Sequence, residues 1–306
     1  MNLNNEIINW LMEGPAWLKF AVQKQLLDAK PDPAMAANDA AIMKLRDRLA
    51  DNRLGLPAIK AGRLSAETTG NAYWDLFFLS DIGLAAGDLA INRDIEEILA
   101  RQSPDGTYSL DSGMSPDYFC LSAIPLATFA SLGYRDDPRV ERYVNVLWNA
   151  RCADGGWRCA EGWEKTGCPM ANLNVLMLLG QYPQYRDDPA LSGAVNLLLK
   201  HWERRQEGWR KDGFGVGRRF QSLEYPAIKY GILRVIDVLS LFPLAIRSPA
   251  FRDMLAFIQK KSSGGRYFAD TVSDAYAGFD FGQTKEPSRW LTFLITRAEK
   301  RLASAA

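Results

Sequence analysis

The chain has 306 residues, of which 47% are hydrophobic and 24% are charged, and this composition predicts a folded globular protein with ample material for a core. Its formal net charge of +1 removes the electrostatic argument for nucleic-acid binding, which needs a clustered excess of Lys and Arg. Four cysteines in a chain of this length are predicted to be reduced thiols rather than a disulfide framework.

The first residues, MNLNNEIINWLMEG, lack the basic start and the apolar run of a signal peptide, so a cytoplasmic location is predicted. The most apolar segment, ILRVIDVLSLFPLAI, is interrupted by Arg234 and Asp237 and broken by Pro243. It is too short and too charged to cross a bilayer. We therefore expect no membrane span.

Six runs with few or no charges recur along the chain and are predicted to be buried inner helices, because a helix that is apolar all round has no face for water. Five start at or near a proline, which is tolerated at the first helical position. In order, the runs begin at Pro15, Asn71, Pro116, Pro169, Pro226 and Pro287.

Six amphipathic segments alternate with these runs and are predicted to be outer helices with one face in water. They are EIINWLM, NDAAIMKLRDRLA, GDLAINRDIEEILA, DDPRVERYVNVLWNA, DDPALSGAVNLLLKHWERR and SPAFRDMLAFIQKK. The first segment supplies the outer helix that the last inner helix lacks, which favours closure into a ring. The predicted fold is all-α, an (α/α)6 toroid of six helical hairpin repeats, in a single domain of residues 1–306.

A short Gly-aromatic phrase follows several outer helices. RQSPDGTY ends at Tyr108, CADGGW at Trp157, RQEGW at Trp209 and SSGGRY at Tyr267. Glycine allows the left-handed turn that ends a helix. The aromatic ring is predicted to pack against that helix end, so that the phrase fastens each unit to the next.

The phrase resembles the repeat motif of squalene-hopene cyclases, oxidosqualene cyclases and protein prenyltransferase β subunits. Its nearest copies run from Gln102 to Tyr108 and from Gln206 to Trp209. The final run, EPSRWLTFLITRAEKRL, is similar to the last inner helix of bacterial prenyltransferase and squalene oxidase repeat proteins. The resemblance implies a helical toroid that holds an isoprenoid or another apolar ligand in a central cavity.

The catalytic motifs that the resemblance implies are incomplete. Squalene-hopene cyclases protonate an alkene with an Asp-x-Asp-Asp motif, whereas YRDDP, at Tyr134 and again at Tyr185, has Tyr in the first position and is predicted to cap an outer helix. Protein prenyltransferases bind zinc with Asp, Cys and His, but the one histidine, His201, is predicted to face water or a neighbouring repeat. Enzyme status stays open; an enzyme would be cyclase-like or prenyltransferase-like.

Closing the ring would gather the amino-terminal ends of the inner helices around one mouth of the cavity, where partial positive charge favours anionic and polar groups. Carboxylates at these starts are candidate catalytic residues: Asp75, Asp117 and Glu224. Aromatic and amide side chains there are candidate ligand-binding residues: Tyr73, Trp74, Tyr118, Asn172, Tyr225 and Trp290. The competing interpretation is that these residues are caps and packing aromatics.

Three cysteines, Cys120, Cys159 and Cys168, are candidate ligands of a zinc ion between adjacent units. Their spacing matches no standard short zinc pattern, so buried free thiols are the alternative, and no other cofactor is expected. The stretch FADTVSDAYAGFDFGQTKEP lacks helical periodicity. It predicts either a loop that presents Asp270, Asp274 and Asp280 at the cavity mouth or a solvated surface turn.

The leading hypothesis is a terpene cyclase-like or prenyltransferase-like repeat protein whose ligand is a small apolar molecule. Two alternatives stay open. An (α/α)6 carbohydrate-active hydrolase or lyase would need paired carboxylates at one mouth of the toroid. A non-catalytic interaction scaffold would bind a protein partner through its helical surface.

Overall fold

A computed structural model describes residues 4–110, 119–153, 155–157, 167–207, 217–228 and 230–304. In these ranges the regular structure is helical, with isolated bridges joining Ser263 to Arg266 and Tyr267 to Ser288. The predicted all-α class is confirmed. Across the described ranges, no helix is both long and apolar enough to cross a membrane.

The α-helices are α1 (Asn5–Met12), α2 (Ala16–Gln25), α3 (Ala34–Ala37), α4 (Ala40–Leu49), α5 (Leu56–Lys60), α6 (Ala72–Ile82), α7 (Asn92–Leu99), α8 (Phe119–Phe129), α9 (Pro138–Asn149), α10 (Pro169–Leu179), α11 (Pro183–Arg186), α12 (Ser192–Glu203), α13 (Ile232–Leu239), α14 (Pro243–Arg247), α15 (Pro249–Gln259) and α16 (Arg289–Ser304). A π-helical turn spans Ala130–Tyr134, and 3-10 turns span Pro189–Leu191, Asp274–Tyr276 and Asp280–Gly282. The chain divides into two compact units, Met1–Asp39 with Val195–Ala306, and Ala40–Ala194.

In the Ala40–Ala194 unit, inner helices pack side by side, with α8 between α6 and α10. Nearly every described side chain of α8 and α10 is buried, because neither helix carries a charge. By contrast, α7 and α9 bury one stripe each, at the three-to-four-residue spacing of an amphipathic helix. The predicted difference between buried uncharged helices and amphipathic helices is confirmed here.

In the other unit, α16 packs against both α2 and α13, so these inner helices are again neighbours. The amino-terminal helix α1 packs against α2 and α16. Arg289 Nε donates a hydrogen bond to the Trp10 carbonyl (3.0 Å), and its guanidinium lies 4.7 Å from the centre of the Trp10 ring. The predicted pairing of the first helix with the last is therefore confirmed.

The predicted start of an inner helix at Pro226 is wrong. Helix α13 begins at Ile232, after Gly231 in an extended conformation, and the peptide bond before Pro226 is cis. The main chain just ahead of this proline is used by another segment: Leu223 N donates to Asp270 Oδ2 (2.8 Å), and Asp270 N donates to the Leu223 carbonyl (2.8 Å). The chain just before Pro226 is thus held by a segment 47 residues later.

Both YRDDP stretches carry helix caps, as predicted. Asp137 accepts a hydrogen bond from Arg139 N (2.8 Å) at the start of α9. Asp188 accepts one from Ala190 N (2.8 Å) at the 3-10 turn that precedes α12. In each case the side-chain oxygen satisfies an N–H that the helix leaves unpaired.

The Gly-aromatic phrase forms the turn expected of it. Gly106 and Gly155 have φ of 89° and 83°, in the left-handed region that glycine adopts without steric penalty. A methyl group on Gly106 would also lie 2.9 Å from Val146 Cγ2, so the outer helix α9 runs close against the turn. Trp209, in a further copy, lies outside the described residues.

The aromatic residue of the phrase caps the preceding outer helix. Tyr108 donates from its hydroxyl to the carbonyl of Leu99, the last residue of α7 (3.2 Å). Trp157 donates from Nε1 to the carbonyl of Leu147, in the last turn of α9 (2.8 Å). Both rings are fully buried, which confirms the predicted fastening role of these two copies.

A second fastening device was not predicted. In three copies of the phrase, the main chain of the aromatic residue forms a hydrogen bond with a buried polar side chain near the start of the next inner helix. The bonds are Ser122 Oγ to the Tyr108 carbonyl (3.0 Å), Trp157 N to Asn172 Oδ1 (3.1 Å) and Tyr267 N to Thr292 Oγ1 (3.1 Å). The phrases that end at Tyr108 and Trp157 are therefore held from both sides, by the outer helix before them and the inner helix after them.

Candidate functional site

The residues predicted to form a site fall into three groups. Asp117, Tyr118 and Cys159 lie outside the described residues. In the Ala40–Ala194 unit are Tyr73, Trp74, Asp75, Cys120, Cys168 and Asn172. In the other unit are Glu224, Tyr225 and Trp290.

Asp75 forms a buried ion pair. Its side chain, in the first turn of α6, is completely buried, and its Oδ2 accepts a hydrogen bond from Arg48 Nε at 2.5 Å. A second guanidinium nitrogen of Arg48 bonds to Oδ1, which makes the contact bidentate. This ion pair joins α4 to α6, and both carboxylate oxygens of Asp75 bind Arg48. The catalytic role of Asp75 stays a prediction.

Three predicted ligand-binding side chains use their polar atoms to hold nearby main chain. Tyr73 donates from its hydroxyl to the Leu110 carbonyl (2.9 Å), and Trp74 donates from Nε1 to the Ala66 carbonyl (2.7 Å). Asn172 Nδ2 donates to the carbonyls of Trp157 (3.1 Å) and Cys168 (2.8 Å). These bonds give the three residues a structural role, and ligand binding by them stays a prediction.

The cysteine prediction is covered in part by the described residues. Cys120 and Cys168 are buried, and Cys168 Sγ accepts a hydrogen bond from Ala171 N (3.5 Å) as the cap of α10. Within the described residues, no group of three or more His, Cys, Asp or Glu side chains is arranged to hold a metal. Because Cys159 lies outside those residues, zinc binding by the three thiols stays a prediction.

His201 is buried on α12 with 1% of its surface exposed, so the water-facing alternative is wrong. Its Nδ1 lies 3.0 Å from the Tyr230 hydroxyl, and the two rings are 5.2 Å apart. Burial lowers the pKa of His201 to about 4, which keeps the imidazole neutral at neutral pH.

An aromatic cluster gathers two of the predicted residues, Tyr225 and Trp290. The cluster consists of Trp17, Tyr225, Tyr276, Phe279, Phe281, Trp290 and Phe293. Trp290 lies at its centre, with ring-centre distances of 4.9 Å to Phe293, 5.4 Å to Trp17 and 5.5 Å to Tyr225. Inner helices α2 and α16 and the segment before α13 meet here, so their aromatic residues converge.

Part of the cluster comes from the loop between α15 and α16, here called the strap (residues 268–288). Phe279 and Phe281 stack at 5.2 Å, and Phe281 contacts the Tyr225 ring at 5.1 Å. Tyr276 and Phe281 are fully buried, whereas Asp270 and Asp274 are exposed. The interpretation as a solvated turn is therefore wrong for the middle of the strap and correct for its beginning.

Asp280 places a carboxyl group beside these rings. Its Oδ2 accepts hydrogen bonds from Trp290 N (3.0 Å) and Ser288 Oγ (3.3 Å) at the start of α16. Its Oδ1 is buried and has no hydrogen-bond partner among the described residues. Burial raises the pKa of the Asp280 carboxyl, and this effect exceeds the lowering by nearby N–H groups and by the charge of Arg289.

Tyr225, Trp290 and Asp280 thus form the part of the predicted site that the structure brings together. Glu224 is half-buried and adjacent to Tyr225 in the chain. Sequence reasoning assigned Asp280 only to a loop and missed its contact with α16. The signal that was available is the alternation of aromatic residues around it, FDF, in an otherwise polar stretch.

Comparisons with protein-family models and with curated proteins find no match for this chain. The likeness to cyclases and prenyltransferases therefore rests on the repeat phrases and the final inner helix. Any proposal about function therefore depends on the geometry of the site.

Proposed function

We propose that the chain is an (α/α)6 toroid, in a single domain, that binds an isoprenoid or another unsaturated apolar ligand in a cavity bounded by its inner helices. Two features support the ring. Inner helices are side-by-side neighbours within each compact unit, and α1 pairs with α16. A row of inner helices whose first and last units share one hairpin favours closure.

The observation that carries the ligand proposal is the aromatic cluster around Asp280. Aromatic rings supply a large apolar surface, and their faces attract positive charge. A carboxyl group whose pKa is raised by burial holds its proton more readily, so it adds less charge to an apolar site. A cluster of rings with a single carboxyl group beside it suits an apolar ligand better than a sugar, which needs many hydrogen-bond partners.

The first test is mass spectrometry of small molecules extracted from the natively purified protein. We expect an isoprenoid or a similar apolar molecule at near-stoichiometric amounts. An oligosaccharide in its place would favour the carbohydrate-active alternative, and protein purified with no ligand, which then fails to take up farnesol, would favour the interaction scaffold. Either result would overturn the proposal.

The second test locates the ligand by equilibrium dialysis with farnesol as the probe. Tyr225→Leu removes one ring of the cluster and is expected to weaken binding about tenfold, given the usual energy of a buried aromatic contact. Tyr143→Leu is the matched control, because Tyr143 is an equally buried tyrosine outside the cluster that contacts the Tyr108 ring at 5.7 Å. Equal weakening in both variants would show that the aromatic cluster is not the binding site.

A further inference from the structure

A polar pocket lies where the strap begins, in the same unit as the aromatic cluster. Its volume is about 300 Å³, and it is lined by Arg218, Gln221, Ser222, Lys261, Asp270 and Thr271. All six lining side chains are polar, so the pocket offers nothing to an apolar ligand. We propose that this pocket binds a phosphate group, either inorganic phosphate or that of a small polar phosphate monoester.

The walls of the pocket are fixed by hydrogen bonds. Asp270 Oδ2 accepts from Leu223 N (2.8 Å) and from Lys261 Nζ (2.5 Å), so one carboxylate oxygen holds both a main-chain turn and an ammonium group. Asp270 N donates in return to the Leu223 carbonyl (2.8 Å). Lys261 is thereby held at the edge of the pocket, which reduces the conformational entropy that a ligand would have to remove.

Arg218 supplies a positive charge that is not paired within the described residues. Its carbonyl accepts a hydrogen bond from Ser222 Oγ (3.0 Å), which anchors its main chain. Its guanidinium has no hydrogen-bond or ion-pair partner among the described residues, and the residue is exposed. Two cations face one carboxylate, so the pocket has a net positive charge before any ligand binds.

The donors define the class of anion. The Arg218 guanidinium, the Lys261 ammonium and the Thr271 hydroxyl line the same space from three segments of chain, whereas the Ser222 hydroxyl donates its hydrogen to the Arg218 carbonyl. A tetrahedral dianion accepts hydrogen bonds in several directions at once, whereas a planar carboxylate is satisfied by one bidentate arginine. Phosphate therefore uses more of the lining than a carboxylate does.

The test is isothermal titration calorimetry with inorganic phosphate, in chloride buffer at constant ionic strength. We expect one phosphate per chain and at least about tenfold weaker binding in Arg218→Gln, because hydrogen bonds to charged groups are the stronger ones. Arg219→Gln is the matched control: Arg219 is the next residue, equally charged and exposed, and does not line the pocket. Its affinity is expected to stay within about twofold of the unchanged protein, since distant exposed charges are largely screened.

Lys261→Met supplies a second variant, expected to weaken phosphate binding while the far-ultraviolet circular dichroism stays unchanged. Glycerol phosphate, titrated in parallel, separates the two sources: tighter binding than phosphate identifies a monoester as the ligand, and weaker binding identifies free phosphate. Absence of binding at millimolar concentrations of both probes, or equal loss in Arg218→Gln and Arg219→Gln, would overturn the proposal. The proposal is independent of the apolar ligand, because farnesol uptake and phosphate titration report on different sites.

Discussion

Replacing Arg48 by methionine is expected to destabilise the protein more than neutralising its partner, Asp75. The Asp75 side chain is completely buried, whereas Arg48 is 25% exposed. Arg48→Met therefore leaves a carboxylate in the core without its cation, a change that destabilises proteins by about 3–5 kcal/mol. Asp75→Asn leaves the guanidinium close to water, so we expect a loss of about 1–3 kcal/mol, the usual effect of a disrupted buried hydrogen bond.

The assay is urea unfolding at pH 7, followed by circular dichroism, for the two single variants and for Arg48→Met with Asp75→Leu. The double variant removes both charges, so we expect it to be more stable than Arg48→Met alone, because no unpaired charge remains in the core. A loss below about 1 kcal/mol for Arg48→Met, or a smaller loss than for Asp75→Asn, would refute the assignment of this pair as a buried structural tie. Arg93→Met, at an ion pair whose arginine is 92% exposed, is the surface control.

Four further predictions test the fasteners and the buried titratable groups. Gly106→Ala and Gly133→Ala both force a left-handed φ on alanine, and each should lower the free energy of unfolding by about 1–2 kcal/mol. In thermal unfolding the loss should be larger for Gly106→Ala, because of the two positions only Gly106 has other atoms close to the new methyl group. Equal losses would contradict this packing argument. Trp157→Phe leaves the carbonyl at the end of α9 without its donor, so urea unfolding should show a loss of about 1–3 kcal/mol, and an unchanged midpoint would argue against the cap. Burial raises the pKa of the Asp280 carboxyl, so its contribution to the free energy of unfolding is full below about pH 4 and is lost as pH rises through the raised pKa. In a pH series of urea unfolding curves, Asp280→Asn should remove this loss of stability with rising pH. The same loss in both proteins would exclude Asp280 as its source. Burial lowers the pKa of His201 to about 4, so the stability that its neutral ring contributes is full above about pH 6.5 and is lost as pH falls through about 4. The NMR titration of His201 should have a midpoint near pH 4 rather than near 6.5. Its signal is unambiguous because the chain has one histidine.

Local chemistry made much of the helical organisation predictable. Uncharged runs such as FCLSAIPLATF have no face for water and are buried, and the stripes of α7 and α9 follow from the helical period. Caps and left-handed glycines depend on one residue and its immediate neighbours, so Asp137 and Gly106 could be assigned without knowing the fold.

The tertiary structure decided which distant residues contact each polar side chain. Asp75 was a candidate catalytic group until the fold placed Arg48, 27 residues earlier, against both of its oxygens. Asp280 was one acidic loop residue among several, and only the docking of the strap on α16 buried its carboxyl and raised its pKa. The main chain of Leu223 likewise pairs with Asp270, 47 residues later in the chain.

The physical reason for this division is the range of the interactions. Helix formation, capping and turn geometry involve residues within a few positions of one another, so the sequence alone determines them. Burial, ion pairing and pKa depend on which distant segment fills the space around a side chain, and that choice is made by packing of the whole unit. The sequence thus determined that this protein alternates buried uncharged helices with amphipathic ones, whereas only the tertiary structure decided that Tyr225, Trp290 and Asp280 meet.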